Sequence, residues 1–410
     1  MAKWSIHCAG DFCNQRSPVV SPISKNIVQL FSTSQIRILN LEAPITSFDK
    51  PMKKSGPSLR IDPGKAKLLT TELVNVVALA NNHFSDYGIE GIRDTIKYLQ
   101  GQNIAFTGAH YEEASAYKPA LMKPTEDVIV AIFSVCEREF GIAEKGSGGV
   151  AWYGHPLFWE NLKIAKQNGQ LIVVQFHGGV ELLSIPTPRI IELFHNLIKN
   201  YNVSLIVGHH PHVPQGFENV NNGLIFYSLG DFYWPLSAGQ LDFKRSISFT
   251  TQIDFNNDLI EDYKIYPIHL DKELCLNLLN RNYIDNFNRY LKFISSPLNN
   301  DSEYKNVWSY AAKEVFDERY AKELFGIGNC NHNVRNVIKY FIMPMLYSLK
   351  HLFGYSTKTF ENKALHLFNI IQNESHREII LEGINGNRIN KKHSVIGNKL
   401  YNEILKDNNK

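Results

Sequence analysis

The stretch LIVGHHPHVPQGFE at positions 205–218 constrains this chain more than any other. Its lead-in, residues 203–207, is apolar and β-branched, the pattern of a buried strand. Gly208 breaks that strand, and His209, His210 and His212 follow at once. Imidazole is the commonest metal ligand near neutral pH, and a His-x-His pair leaving a strand can aim two rings at one point. Pro211 and Pro214 stiffen the exit, because proline fixes φ and restricts the residue before it. A surface turn or a satisfied buried histidine is the plain alternative. The rest of the chain decides between them.

Residues 4–9 and 36–41 read as the first two strands, stopped by Gly10-Asp11 and by Asn40-Leu41-Glu42-Ala43-Pro44. Residues 62–73 carry an Asp cap and a proline at the first turn, which predicts a helix. A third strand over 74–80 runs into Asn81-Asn82-His83, and helical pattern resumes over 89–100. Residues 128–135 form a nearly pure apolar strand. A helix over 156–168 leads to a strand over 171–176 that ends at His177-Gly178-Gly179-Val180-Glu181. Residues 186–201 are helical, and a strand over 224–229 stops at Gly230-Asp231. Strands alternating with helices predict an α/β architecture with a substantial parallel or mixed sheet.

The polar groups fall at one kind of place. Asp11, Glu42, Asn82 with His83, His177, His210 with His212, and Asp231 each follow the C-terminal end of a predicted strand. In open α/β sheets that edge is where ligands bind. Asp, Asn and Gly are common after any strand, which accounts for one or two of these residues but not for a carboxylate or imidazole at nearly every exit. Mixed oxygen and nitrogen donors of this kind suit Mn²⁺, Fe or Zn²⁺, as one ion or two. A pair of such ions is the standard device for hydrolysing phosphate esters.

Composition narrows the field further. A net charge of +3 over 410 residues gives no electrostatic case for nucleic acid, and no nucleic-acid-binding motif is evident. The five cysteines are scattered without CxxC spacing, which suits a reducing compartment. No signal-peptide core opens the chain, and no apolar run approaches the roughly 20 residues that span a bilayer. These features predict a cytoplasmic protein.

Six segments then carry a resemblance. They are Gly10-Asp11, Asn40-Leu41-Glu42-x-Pro44 and Ala80-Asn81-Asn82-His83-x-x-Asp86-x-Gly88, followed by His177-Gly178-x-x-Glu181, Gly208-His209-His210-Pro211-His212-Val213-x-Gln215-Gly216-x-Glu218 and Tyr227-Ser228-Leu229-Gly230-Asp231-Phe232. In this order, over about residues 4–270, they resemble the CapA family of poly-γ-glutamate capsule biosynthesis proteins, related to calcineurin-like metallophosphoesterases. The resemblance implies a four-layer α/β/β/α sandwich with a metal site at the strand ends. It implies Asp11, Glu42, Asn82, His177, His210 and His212 as metal ligands, His83 as a general acid and Asp86 as the residue that orients it. Asn40, Glu181, His209, Glu218 and Asp231 are implied beside the ligands or the substrate. Three positions depart from the phosphoesterase pattern. The first motif reads Asp11-Phe12-Cys13 where Asp-x-His is usual, Glu42 replaces a bridging aspartate, and Asp231 replaces an asparagine.

The domain expectation is a sandwich over 1–270, a helical region over 271–384 and a polar tail over 385–410. In the middle region helices are predicted over 272–294 and 303–324, split at Asn299-Asn300. Residues 337–353 are strongly apolar yet carry Lys339, Pro344, Lys350 and His351. Such a helix has the capacity for a peripheral membrane contact, or forms a core helix kinked at Pro344. Cys330-Asn331-His332 is more often a loop than a metal site. Two functions stay open. One is a metal-dependent hydrolase acting on a phosphate ester or an acidic polymer, working with surface-polymer synthesis machinery. The other is a non-catalytic accessory protein of capsule or exopolysaccharide assembly.

Overall fold

In the computed structural model, residues 2–15, 22–235, 245–321 and 357–385 are described. Period-two burial builds the strands. In β7 (Val130–Cys136), Val130 and Ile132 face one apolar cluster while Ala131, Phe133 and Val135 face another. The same split recurs in β9 (Leu171–His177) and β10 (Val203–His209), which explains why their sequences are almost continuously apolar. With β6 (Ala120–Met122), β11 (Phe217–Val220) and β12 (Gly223–Phe226) they form a six-stranded sheet, ordered β11-β12-β10-β9-β7-β6. Its centre is parallel and its two edges are antiparallel.

A second sheet has eight strands. Its parallel half runs β1 (Lys3–Phe12), β2 (Ile36–Leu41), β3 (Val76–Ala78), β4 (Ala105–Thr107). Its antiparallel half continues from β1 through β14 (Ile247–Asn256) and β15 (Leu259–Leu270) to β16 (Leu276–Leu278), and β13 (Asp231–Tyr233) pairs with the end of β1. A small hairpin joins β5 (Ala109–His110) to β8 (Gly149–Val150).

The sheets pack face to face. Trp4, Ile6, Ile38 and Val76 from one meet Ile132, Val173, Val207 and Phe226 from the other in a single cluster. Helices cover the outer faces. These are α1 (Lys25–Ser32) and α2 (Gly88–Gly101) on one side, and α4 (Pro156–Gln167) and α5 (Pro188–Tyr201) on the other, with the single turn α3 (Glu113–Ala116) beside the hairpin. The result is the α/β/β/α sandwich expected from sequence. Helix α5 starts where Pro188 follows Thr187, whose hydroxyl accepts from the Ile190 amide at 3.4 Å. It ends at Asn202 in the left-handed region, φ 56°.

Two elements differ from expectation. Residues 62–73 form only a 3₁₀ turn, Lys65–Leu68. Asp62 accepts from the Gly64 amide at 2.8 Å in the turn before it and does not cap the turn itself, and Leu69 leaves helical conformation and buries with Leu73 and Val74. The first part of 272–294 is not helical either, because β16 adds to the edge of β15. Leu276 is clamped there by the Pro22 carbonyl at 2.7 Å and the Ser24 amide at 3.0 Å. Edge pairing outranks helix propensity at this point.

Helix α6 (Arg281–Ser295) is capped by the Asn280 side chain and lends Phe287, Tyr290, Leu291 and Ile294 to the core between the sheets. Helix α7 (Asp301–Val315), capped by Asn300, runs into a π-turn at Phe316–Tyr320. With α8 (Thr357–Gln372) and α9 (Glu374–Asn385) it makes a third apolar cluster that includes Val180 and Ile185 from the loop after β9. Residues 337–353, Cys330 with His332, and the tail past 385 lie outside the described residues. Among the described residues, no helix is long and apolar enough to cross a membrane.

Candidate metal centre

Register explains why the polar residues share one edge. Asp11 is level with Asn40 on β2, and Asn40 is level with Ala78 on β3. In the other sheet His177 is level with His209 on β10 and with Cys136 on β7. Both parallel sets end at the same side of the sandwich. The His210 amide donates across to Asp11 Oδ2 at 3.1 Å, joining the sheets there.

Local backbone geometry sharpens the convergence. The β1–β2 register shifts between Cys8 and Asp11, and β1 approaches the Gly230 turn so closely that a Cβ on Gly10 would lie 1.7 Å from the Gly230 carbonyl oxygen. Only glycine permits that contact. Beyond β10, His210 has φ 96° and His212 φ 59°, conformations that bulky residues adopt only under constraint. They bring the His210 ring to His177 and the His212 ring to Asp11.

The side chains then meet. Asn40 Nδ2 donates to Asp11 Oδ1 at 2.9 Å and to Glu42 Oε2 at 3.3 Å, and sits 3.2 Å from His177 Nδ1. His177 Nε2 lies 3.0 Å from Asn82 Oδ1 and 3.1 Å from His210 Nδ1. His212 Nδ1 is 2.7 Å from Asp231 Oδ1 and 3.4 Å from Asp11 Oδ2. Three sets each bring one donor atom per residue within 4.8 Å of the others: Glu42-His177-His210, Glu181-His210-His212 and Asp11-His212-Asp231. Two of these sets share His210 and two share His212, so the sets form one continuous cluster.

Its electrostatics are unresolved by the protein alone. Burial pushes the Glu42 carboxyl well above the usual range, and Asp11 and Asp231 push it further. Glu42 Oε1 is buried without a hydrogen-bond partner among the described residues, with His177 Nε2 3.5 Å and His212 Nε2 3.7 Å away. Burial also opposes ionisation of Asp11, but His209, His177 and His212 outweigh it and hold that carboxyl well below its usual range. Burial, then the neighbouring His210, drives His177 far below an ordinary imidazole. Burial lowers His210 too. Neutral rings with free lone pairs beside carboxylates, one oxygen of which has no partner, are the donor set a divalent cation requires. The residues present therefore fit such an ion.

Next to this cluster His83 Nδ1 lies 2.8 Å from Asp86 Oδ2. Lys54 closes the group: its ammonium pairs with Asp86 Oδ1, donates to the Asn82 carbonyl at 3.2 Å, and has only 4% of its side chain exposed. Burial and then Lys54 lower His83 to about 4, against the pull of Asp86. Nothing in the sequence flagged Lys54, because Lys53-Lys54-Ser55-Gly56 reads as a solvated loop. Arg245, whose Nε donates to Asp231 Oδ2 at 2.8 Å, was missed for the same reason.

Other expected residues divide. His209 sits under the cluster, its Nε2 2.9 Å from Gln175 Oε1 and its Nδ1 3.1 Å from Asp11 Oδ1. Cys13 is buried but belongs to none of the three convergent sets. Burial, then Glu42 and Asp231, push its thiol far above the usual value. Glu218 is not brought to the cluster. It pairs with His195 Nε2 at 2.8 Å and with the Tyr227 hydroxyl, because antiparallel β11 carries it away from the edge.

The C-terminal helices hold the loop that bears Glu181. Arg319 Nη2 donates to the Glu181 carbonyl at 2.9 Å and the Tyr304 hydroxyl to the Pro186 carbonyl at 2.7 Å. Glu374 accepts from the Arg138 amide at 2.8 Å and from Trp152 Nε1 at 2.9 Å. Ser375 donates to Glu137 Oε1 at 2.7 Å.

Comparison with known proteins bears on this geometry. The family model described as "Bacterial capsule synthesis protein PGA_cap" matches residues 9–235, which include Asp11, Glu42, Asn82, His177, His210, His212 and Asp231. The chain is 30% identical over 214 residues to the PGA biosynthesis protein CapA of Bacillus subtilis (strain 168), covering 51% of this chain and 56% of that protein. It is 32% identical over 205 residues to the capsule biosynthesis protein CapA of Bacillus anthracis, covering 47% of this chain and 49% of that one. The chain thus spans about half the length of the curated relatives it matches. Among solved structures, it is similar to the calcineurin-like phosphoesterase YfkN from Bacillus subtilis at a TM-score of 0.39 and 12% identity, over 65% of this chain and 90% of that one.

Proposed function

The chain belongs to the bacterial capsule synthesis PGA_cap family, and on that premise we propose that it is a metal-dependent hydrolase of anionic substrates in surface-polymer metabolism. The observation that carries this reading is Glu42 Oε1, a carboxylate oxygen buried without a partner among three imidazoles and two further carboxylates. An uncompensated buried charge costs several kcal/mol, and a bound cation removes that cost. Asp11, Glu42, Asn82, His177, His210 and His212 would hold one or two ions, with Glu181 and Asp231 completing the rim. Mn²⁺, Fe and Zn²⁺ all suit this set of oxygen and nitrogen donors. When bound, such an ion supplies Lewis acidity and an activated water.

The chain's own residues would do the rest. With Nδ1–H donated to Asp86, His83 presents Nε2 for exchanging a proton with the leaving group. Asp86 and Lys54 hold the ring in place. Phosphate esters and poly-γ-glutamate segments are the substrates in scope, and the capsule or exopolysaccharide machinery is the proposed partner.

A second reading, a non-catalytic accessory protein that binds the polymer, is favoured by Cys13. A neutral buried thiol stands where the phosphoesterase pattern has a histidine, so one ion would lack a donor. Metal content of the purified chain, measured alongside hydrolysis of a generic phosphomonoester and diester, separates the two. The hydrolase reading expects metal and turnover, with His83→Asn keeping its metal and losing about 10²–10⁴-fold in rate. A metal-loaded chain without turnover on esters or polymer sinks that reading in favour of the second.

A further inference from the structure

Arg245 pairs with a carboxylate of the cluster without belonging to its metal-donor sets. Its Nε donates to Asp231 Oδ2 at 2.8 Å, and Asp231 in turn holds His212 through its other oxygen at 2.7 Å. The guanidinium carbon lies 4.7 Å from the Trp234 ring centroid, and the Trp234 ring packs edge-on against His212 at 4.7 Å. Only 16% of the Arg245 side chain is exposed. Its positive charge favours ionisation of Glu42 and of Glu181.

One donor is left over. Arg245 Nη2 is buried and has no hydrogen-bond partner among the described residues. Native interiors rarely leave a donor unpaired, and a charged donor is the most costly kind to strand. The pairing with Asp231 uses Nε alone, although a guanidinium can bind a carboxylate through two nitrogens, so donor capacity remains. Trp234 fixes the plane of the fork by cation–π contact, so the free edge is held ready.

We propose that Arg245 is the substrate-anchoring residue of this site, receiving an oxyanion on the guanidinium edge that Asp231 leaves free. A planar fork with fixed donors matches phosphate and carboxylate oxygens, which a lysine at this place does not. The inference rests on the hydrolase reading for its substrate and adds that the substrate carries an anionic group beside Asp231. Two sources share this chemistry, the phosphate of an ester and the side-chain carboxylate of a γ-glutamyl unit.

The test uses the full chain with its metal content measured, titrated calorimetrically with inorganic phosphate and, separately, with glutarate. The wild type should bind at least one of them. Arg245→Gln should weaken that binding by about tenfold or more and Arg245→Lys by less, both with metal content and melting temperature kept. Preference for phosphate assigns the ester, and preference for glutarate assigns the carboxylate. Binding unchanged in Arg245→Gln, no anion bound by the wild type, or metal lost in parallel with the anion each overturns the inference. Anion binding that depends on Arg245 in a metal-loaded chain with no turnover keeps the inference and sinks the hydrolase reading. Turnover with binding indifferent to Arg245 does the reverse.

Discussion

Glu42 and Glu137 are both buried carboxylates at the same strand-end edge, 0% and 3% exposed, and they are treated in opposite ways. Glu137 follows β7 and is paired with the Arg189 guanidinium, accepts from Ser375 Oγ at 2.7 Å, and lies 3.3 Å from the Gly179 amide. Arg189 is itself held by Glu378, whose Oε1 accepts the Arg189 amide at 2.9 Å. Both carboxylates of that knot have a cation from the chain in Arg189, although its Nε and Glu378 Oε2 stand 3.5 Å apart without hydrogen-bond geometry. Glu42 has two carboxylate neighbours, a single weak amide contact, and an oxygen with no partner. The contrast separates a polar cluster that fastens the C-terminal helices from one whose balance requires something from outside.

The largest test breaks the open cluster. His210→Ala with His212→Ala removes donors from all three convergent sets. Metal affinity should fall by more than the roughly 10–100-fold typical of losing an outer hydrogen-bonding partner, while circular dichroism stays native. Metal content equal to wild type would abolish the distinction drawn between the clusters.

Next in size is the closed knot. Arg189→Met leaves Glu137 buried without its cation, and breaking a buried pair costs about 3–5 kcal/mol, discounted here to about 2–3 because Arg189 is partly exposed. Denaturant melts should record that loss while metal content stays as in the wild type. Metal lost together with stability would mean that the C-terminal helices complete the centre.

The smallest effect concerns Glu139, a carboxylate with amide partners and, among the described residues, no ion pair. Asn373 donates to it at 3.1 Å and Asn369 at 3.4 Å, and burial raises it from 4.5 to about 7. A raised folded value means the folded chain holds the proton more tightly. Its contribution is complete below about pH 4.5 and is lost as pH rises through about 7. Glu139→Gln removes that loss, so the variant's melting temperature should gain on the wild type from about pH 5 to about pH 8. A difference flat across that range would count against the assignment.

Several features of the site were legible without coordinates. Apolar runs 203–207 and 171–176 marked strands that end at His209 and His177, and Asp11, Glu42 and Asp231 stood just past other strands. Period-two burial and terminal glycines are local signals, so they survive in a single sequence. The turn at Lys65–Leu68 and the strand at Leu276–Leu278 misled because local propensity pointed to helix, while packing of Leu69 and pairing with β15 decided otherwise. Lys54, Arg189 and Arg245 carry no pattern that distinguishes them from solvated cations.

That apolar strands alternate with helices through the first half of the chain, with polar residues after them, follows from hydrophobic periodicity and could be read from the sequence alone. Which of the exits meet is another matter. Asp11 and His210 are 199 residues apart and touch because two sheets pack face to face with their parallel strands ending together. The same packing decides that Glu218 pairs with His195 away from the centre, and that Glu42 is left with an open oxygen. Period and propensity act within a few residues, whereas the balance of buried charge is set by neighbours that only the folded chain brings together.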